Sequence, residues 1–516
     1  MSFMDSLKET LDQNTNISVT ENGARGFKTT GAKLLDMNYQ VSSLRNRSEQ
    51  TIIKQFEDVF LENRLLAIKW LFFVSDVRGG LGERRLFRIC LKHLGEQHIE
   101  YAKAVLELVP FYNRWDNLLC LLDTKLAGEV VQVIKAQLEE DMDNRKAGKS
   151  ISLLAKWLPS VNASSKETKR LAHILIKKLE ITERQYRKLL SVLRAYLKVV
   201  EVSMSKREWS AINYSAVPSR ANLVYNRAFL RNDEERRKAY LEGLKAGEER
   251  IHAEVLFPHD IVHKYCENRS NYQLKAEEPT LEALWKALPD YVEKAGNTIC
   301  VADGSGSMTT MISGTRVRCL DVANALAIYF AERSSGQFKD TYITFSQTPK
   351  LVDLSHARSL KEKIEIAFRH NEVANTNIEA VFQLILQTAV STHMEQKDLP
   401  KNILILSDME FDACASSNSL KNHRYAKPDR RLFEEIAKQY ASHGYQIPRM
   451  VFWNICSRTG TIPVKENNLG VALVSGFSPS IVKMVLSNAT NPYECLLEQI
   501  NAERYDAVEK AVAPLL

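Results

Sequence analysis

No stretch of this 516-residue chain is apolar for long enough to span a bilayer; apolar runs such as Trp70-Leu71-Phe72-Phe73-Val74 are far too short. Its eight cysteines, at 90, 120, 266, 300, 319, 414, 456 and 495, form no C-x-x-C pair and no zinc spacing, which points to buried free thiols. There is no Gly-x-x-x-x-Gly-Lys-Ser/Thr, so a P-loop is excluded. A nucleophile elbow is excluded too, because Ala302 stands where Gly-x-Ser-x-Gly needs a glycine. His356, His370 and His443 have no base–nucleophile pattern joining them to a Ser or Cys, and are expected to be structural. The polar N-terminus lacks the apolar core of a signal peptide. Together these absences predict a soluble, reduced, cytoplasmic protein with no membrane attachment that is not an enzyme.

The formal charge of +7 lies wholly in residues 1–295, which carry 47 basic and 40 acidic residues against 23 of each in 296–516. Any polyanion should therefore bind the N-terminal part, although an excess this mild over some three hundred residues does not establish one.

From about residue 48 to 290 the pattern is helical. Segments 48–75, 81–95, 100–108, 125–142, 166–178, 183–203 and 234–251 carry apolar residues at i, i+3, i+4 and i+7, and strand signals are almost absent. Consecutive helices with short connections predict a helical-repeat array or large bundle, with no fixed-period sequence repeat. After Pro279 the texture changes. Apolar, β-branched runs at 297–302, 341–345, 402–407, 449–455 and 470–475 alternate with helical patterns, which predicts a doubly wound α/β domain. The expected organisation is a helical domain over 1–295, an α/β domain over 296–490 and a C-terminal helix in 491–516 packing back on them.

Asp303-Gly304-Ser305-Gly306-Ser307 directly follows the run Thr298–Ala302. Open α/β sheets bind ligands at the carboxyl edge of their strands. A carboxylate and two hydroxyls placed there are hard donors suited to Mg²⁺ or Mn²⁺. Two further donors follow in order: Thr376, at the mouth of a helical segment, and Asp408, closing the apolar run 403–406. Asp303, Ser305, Ser307, Thr376 and Asp408 are thus expected to converge. This order and spacing resemble the metal-ion-dependent adhesion site of von Willebrand factor A domains. A metal-hydrolase reading is weak, since no second ligand cluster accompanies the carboxylates.

Three basic segments stand out in the helical part. Asp76-Val77-Arg78-Gly79-Gly80-Leu81-Gly82-Glu83-Arg84-Arg85-Leu86-Phe87-Arg88 packs three glycines and four arginines between two helices. It reads either as an open phosphate-binding loop, with Arg78, Arg84 and Arg85 near Arg220 or Lys206, or as a tight turn whose arginines pair with Asp76, Glu83 or Asp116. Arg114-Trp115-Asp116 offers an indole that could stack on a base or anchor the core. Lys206, Arg207 and Arg220 lie in a turn-rich stretch between helices.

A helical basic part followed by Asp-x-Ser-Gly-Ser-Met resembles the TROVE-module proteins, the Ro autoantigen family. It is closer still to a TROVE-like branch known as a domain of unknown function. The motifs carrying this resemblance include Gly31-Ala32-Lys33-Leu34-Leu35-Asp36, the 76–85 stretch, Arg114-Trp115-Asp116, Lys156-Trp157-Leu158-Pro159-Ser160, Tyr214–Arg220, Ser407–Asp412 and Val474–Pro479. The resemblance implies a HEAT-like helical ring, closed by a von Willebrand factor A-like domain, that binds small structured non-coding RNA as a ribonucleoprotein scaffold. Its metal site would serve a protein partner. The alternative is a metal-dependent protein-interaction module with no RNA role. Glu410 and Asp412 depart from the pattern and are expected to add carboxylate near the ion.

Overall fold

The computed structural model describes Met4 and residues 16–516, apart from 24, 267–273, 293–296, 346–347, 372–377, 412–429, 466–469, 483–488 and 490. It comprises a helix-rich region and a mixed α/β sheet region, arranged as two compact units. One contains 48–255, 279–287 and 500–516; the other contains 1–47, 256–278 and 288–499.

The sheet unit is built on strands β3 (Thr298–Asp303), β4 (Thr341–Phe345), β5 (Leu351–Asp353), β6 (Asn402–Ser407), β7 (Arg449–Asn454) and β8 (Val471–Ser475), in the spatial order β5-β4-β3-β6-β7-β8. All neighbours are parallel except the edge pair β4–β5. Every residue of β3 and β8 is buried, the signature of a sheet covered on both faces. That is why these strands read as unbroken apolar runs. The Cys319–Arg333 helix buries all of its residues from Cys319 to Ala331, and the Pro258–Cys266 helix packs on it.

The described residues of 16–47 and 256–278 group with the sheet unit rather than with the helices of 48–255. The physical reason lies in specific bonds. A short hairpin of β1 (Ser18–Val19) and β2 (Arg25–Gly26) leads into Phe27, which bridges Ile462. A Cβ on Gly26 would sit 2.6 Å from the Ile462 carbonyl oxygen, so only glycine fits there. Further on, Ser42 and the Tyr39 carbonyl bond to Ser475 and Asn454 at the ends of β8 and β7. These are strand-end contacts that no periodicity announces.

In the helical unit, the segment expected as one helix over 48–75 is two. Asn63 leaves helical geometry at φ −156°, ψ 104°, ends Glu49–Glu62 and caps Arg64–Ser75 by accepting from the Leu66 N–H at 3.0 Å. The Glu183–Tyr196 helix buries Tyr186, Leu190 and Leu193 as its stripe predicts, behind a Thr182/Gln185 capping box. Arg194 donates to the carbonyls of Ala155 and Leu158 and to Ser160 Oγ, each at 2.8 Å. It thereby holds the Lys156–Ser160 turn. The tail divides: Pro492–Ile500 is a helix, and 500–516 packs within the helical unit, where Lys69 meets Glu509 at 2.7 Å.

Candidate anion and metal sites

The Gly-rich stretch 76–88 proves to be a helix terminator. Leu81 N–H bonds to the Phe73 carbonyl at 3.2 Å and Glu83 N–H to that of Val74 at 2.8 Å, satisfying carbonyls at the end of Arg64–Ser75. The glycines do not hold the loop open, as the anion-loop reading supposed. A Cβ on Gly80 would lie 1.8 Å from the Phe73 oxygen, one on Gly79 would press on Arg504, and Gly82 has φ +72°. Asp76 is fully buried; it pairs with Arg504 and accepts from the Arg78 N–H at 2.9 Å.

The following helix, Arg84–Gln97, carries the basic cluster. Arg84 is exposed, and Arg88 is one turn further along. Arg88 donates to Asp116 at 2.9 Å and to Asn117 at 2.6 Å. Arg114 forks onto the same Asp116 and lies over the Trp157 ring at 4.0 Å. Crowding by protein lowers the Arg84 pKa to about 10; the positive charges of Arg114, Arg88 and Arg220 act in the same direction and Asp116 opposes them. Arg88 and Arg114 thus share one carboxylate, and Arg84 lies within electrostatic reach of both, of Asp116 and of Arg220. The Trp157 indole, under the Arg114 guanidinium, flanks this arginine-rich surface.

Of the seven residues expected to bind RNA, the structure brings together Arg84, Arg114 and Arg220. Arg78, Arg85, Lys206 and Arg207 are exposed but are not among the charges Arg84 feels most strongly. Arg207 caps its helix in the left-handed region, at φ 61°. The indole engaged by Arg114 is Trp157, not the neighbouring Trp115. The pairing of a turn arginine with Asp116 was one of the two sequence readings, whereas Arg88 and Trp157 were given no binding role. The i, i+4 spacing of Arg84 and Arg88 was the one signal available.

At the sheet's carboxyl edge, β3 and β6 are adjacent and parallel, with Ala302 beside Leu406, so Asp303 and Asp408 end neighbouring strands at the point where strand order reverses. Both are buried. Asp303 accepts from the Ser305 N–H at 2.9 Å and from Ser407 Oγ at 2.6 Å, while Ser305 and Ser307 hydroxyls lie 2.9 Å apart. Desolvation first, and then the charge of Asp408, raises the Asp303 pKa. Desolvation also raises that of Asp408, against the pull of Arg458 and a hydrogen bond with Ser307. Thr376 lies outside the described residues.

Arg458 was invisible in the sequence. It sits 2.9 Å from the buried Asp408 and 2.8 Å from the exposed Glu21, so its one positive charge is shared between them. Asp303 is left with neutral donors, so the oxygen set Asp303, Ser305, Ser307 and Asp408 suits a small divalent cation, whose charge would offset the carboxylates' burial. Glu410 does not contribute. It accepts from the N–H groups of Glu21, Arg458 and Thr459 at 2.8–2.9 Å, which fixes it as a structural clamp. Asp412 lies outside the described residues. Met409 between them holds φ +62°, a strained value for a side chain that is also buried.

Two family models match the chain. Both are domains of unknown function: residues 125–298 match DUF2828 and residues 297–515 match DUF7788. Over 523 residues the chain is 27% identical to Uncharacterized protein L728 of Acanthamoeba polyphaga mimivirus, covering 93% of this chain and 87% of that protein. The crystal structure of the Deinococcus radiodurans Ro (RSR) protein is similar at a TM-score of 0.40 and 14% identity, covering 92% of this chain and 93% of that one. A likeness of that degree carries no argument on its own. Among the described residues, no helix is long and apolar enough to cross a membrane.

Proposed function

We propose that this protein is a non-catalytic RNA-binding scaffold of the Ro type, its helical unit holding phosphates of a structured RNA and its sheet unit holding a divalent cation. The observation that carries the reading is the pairing of Arg88 and Arg114 on the one carboxylate of Asp116, with Arg84 in electrostatic reach of them and of Arg220. Guanidinium forks match phosphate oxygens, and clustered like charges that repel one another gain from a polyanion. Trp157, stacked under Arg114, offers a flanking aromatic surface for an unpaired base. In this reading the helical unit is a HEAT-like array of the TROVE kind and the sheet unit is a von Willebrand factor A-like domain. The strand order and the placement of Asp303 and Asp408 support the second assignment.

Asp303, Ser305, Ser307 and Asp408, with Thr376, would hold Mg²⁺ or Mn²⁺. The ion would supply a Lewis-acidic point for a partner's carboxylate. The chain's own residues do the rest: Ser407 and the Ser305 N–H orient Asp303, and Arg458 restrains Asp408.

Filter binding of a structured RNA across a salt series tests the proposal. Each phosphate contact adds about 0.7–0.9 to the log–log slope, so the double change Arg84→Ala with Arg220→Ala should flatten it by roughly 1.4–1.8 units. A wild-type protein that binds without salt dependence, or a double variant with an unchanged slope, refutes it. Asp303→Ala should abolish calorimetric Mg²⁺ binding yet leave RNA affinity within about threefold, since the phosphate contacts lie in the other unit.

A further inference from the structure

Glu57, His93 and His98 form a cluster in the helical unit whose ligand atoms all lie within 4.8 Å of one another. Among the described residues it is the one such group of three His, Cys, Asp or Glu side chains. Glu57 projects from the Glu49–Glu62 helix, His93 from Arg84–Gln97, and His98 is the N-cap of Ile99–Ala104. Both imidazoles present Nε2 to the same carboxylate: His93 at 2.7 Å from one oxygen, and His98 at 3.0 Å from each. The side chains are only 12–29% exposed, enough for a solvent ligand to reach.

We infer that this cluster is a transition-metal site of the His₂Glu type, taking Zn²⁺ or a similar borderline cation and clamping three helical segments together. Two imidazoles and a carboxylate make the donor set of open four-coordinate zinc sites, with water completing the shell. The geometry is already close. Bonds of about 2.0–2.1 Å at the tetrahedral angle place ligand atoms about 3.3 Å apart, a few tenths beyond the imidazole-to-carboxylate spacings, and all three ligand atoms lie within 4.8 Å of one another. The ligands are also pre-positioned on rigid elements. The Phe60 ring packs on His98 with centroids 4.2 Å apart, and Tyr101 meets Phe60 edge-on at 5.3 Å. The soft imidazole donors distinguish this site from the all-oxygen set at the sheet edge, so the two should select different cations.

The full-length protein, stripped with chelator, is titrated with Co²⁺ and then Zn²⁺ and followed by visible absorption and calorimetry. One equivalent should give a tetrahedral ligand-field band that Zn²⁺ displaces, and Zn²⁺ should raise the melting temperature. His93→Gln and Glu57→Gln, which retain hydrogen-bonding capacity, should each weaken binding by more than about tenfold. Asp303→Ala should leave it unchanged. Unaltered affinity in both Gln variants, or an intense sulfur-to-cobalt charge-transfer band marking thiolate ligands instead, overturns the assignment. So does the absence of a tetrahedral band in a wild-type protein whose circular dichroism is intact.

Discussion

Arg504→Ala is the most direct probe of how the Gly-rich basic turn is held. The Asp76 side chain is 1% exposed, and among the described residues it pairs with the Arg504 guanidinium. The Arg78 N–H and the Tyr505 hydroxyl, at 2.9 and 3.3 Å, are neutral donors that stay when the arginine goes. Removing one partner of a buried pair costs about 3–5 kcal/mol because the remaining charge is stranded. Arg504 is one-third exposed, so the lower end applies, about 3 kcal/mol. Lost cation–π contacts with Tyr112 and Phe111, at 5.6 and 5.8 Å, add about 0.5–1 kcal/mol. For a unit of this size, 3–4 kcal/mol corresponds to a melting shift of roughly 6–16 °C. Urea unfolding of the wild type, Arg504→Ala, Asp76→Asn and the double variant forms a cycle. The double variant should recover on the order of 2 kcal/mol relative to the sum of the singles. A loss below about 1 kcal/mol in Arg504→Ala, or strict additivity, would refute the reasoning and return Asp76 to a solvated role.

Glu410→Ala should destabilise the sheet unit by about 3 kcal/mol or more in a denaturant melt, because the N–H groups of Arg458, Thr459 and Glu21 lose their acceptor; an effect under about 1 kcal/mol would show that water replaces it. Asp303→Asn should abolish Mg²⁺ binding while leaving the metal-free protein at least as stable as wild type, since a desolvated charge is removed and Ser407 can turn to accept from the new amide. Marked metal-free destabilisation on thermal melting would contradict it. Arg194→Met should cost about 2–3 kcal/mol and change Trp157 fluorescence, because three acceptors in the 155–160 turn lose their shared donor. An unchanged emission spectrum would mean that the turn is held by other contacts.

The sequence by itself determined the classes of element and the placement of Asp303 and Asp408 at one sheet edge. Strands buried on both faces must be apolar throughout, so 298–303 and 402–407 announced themselves, and an Asp at the end of each had to fall at one sheet edge. Periodicity likewise marked the helical segment 183–203, which the structure divides into Glu183–Tyr196 and Val200–Lys206. Tertiary structure alone decided the pairings between distant residues. Arg458 reaches Asp408, Arg504 reaches Asp76, and residues 16–47 join the sheet ends through Gly26, Ser42 and Tyr39. It also decided that Gly79 and Gly80 serve close packing rather than a ligand, and that Arg88 and Arg114 share Asp116. Local pattern reports which face of an element is buried, because burial follows the period of the backbone. A hydrogen bond or ion pair between residues hundreds of positions apart leaves no such period, since it depends on where the folded chain returns.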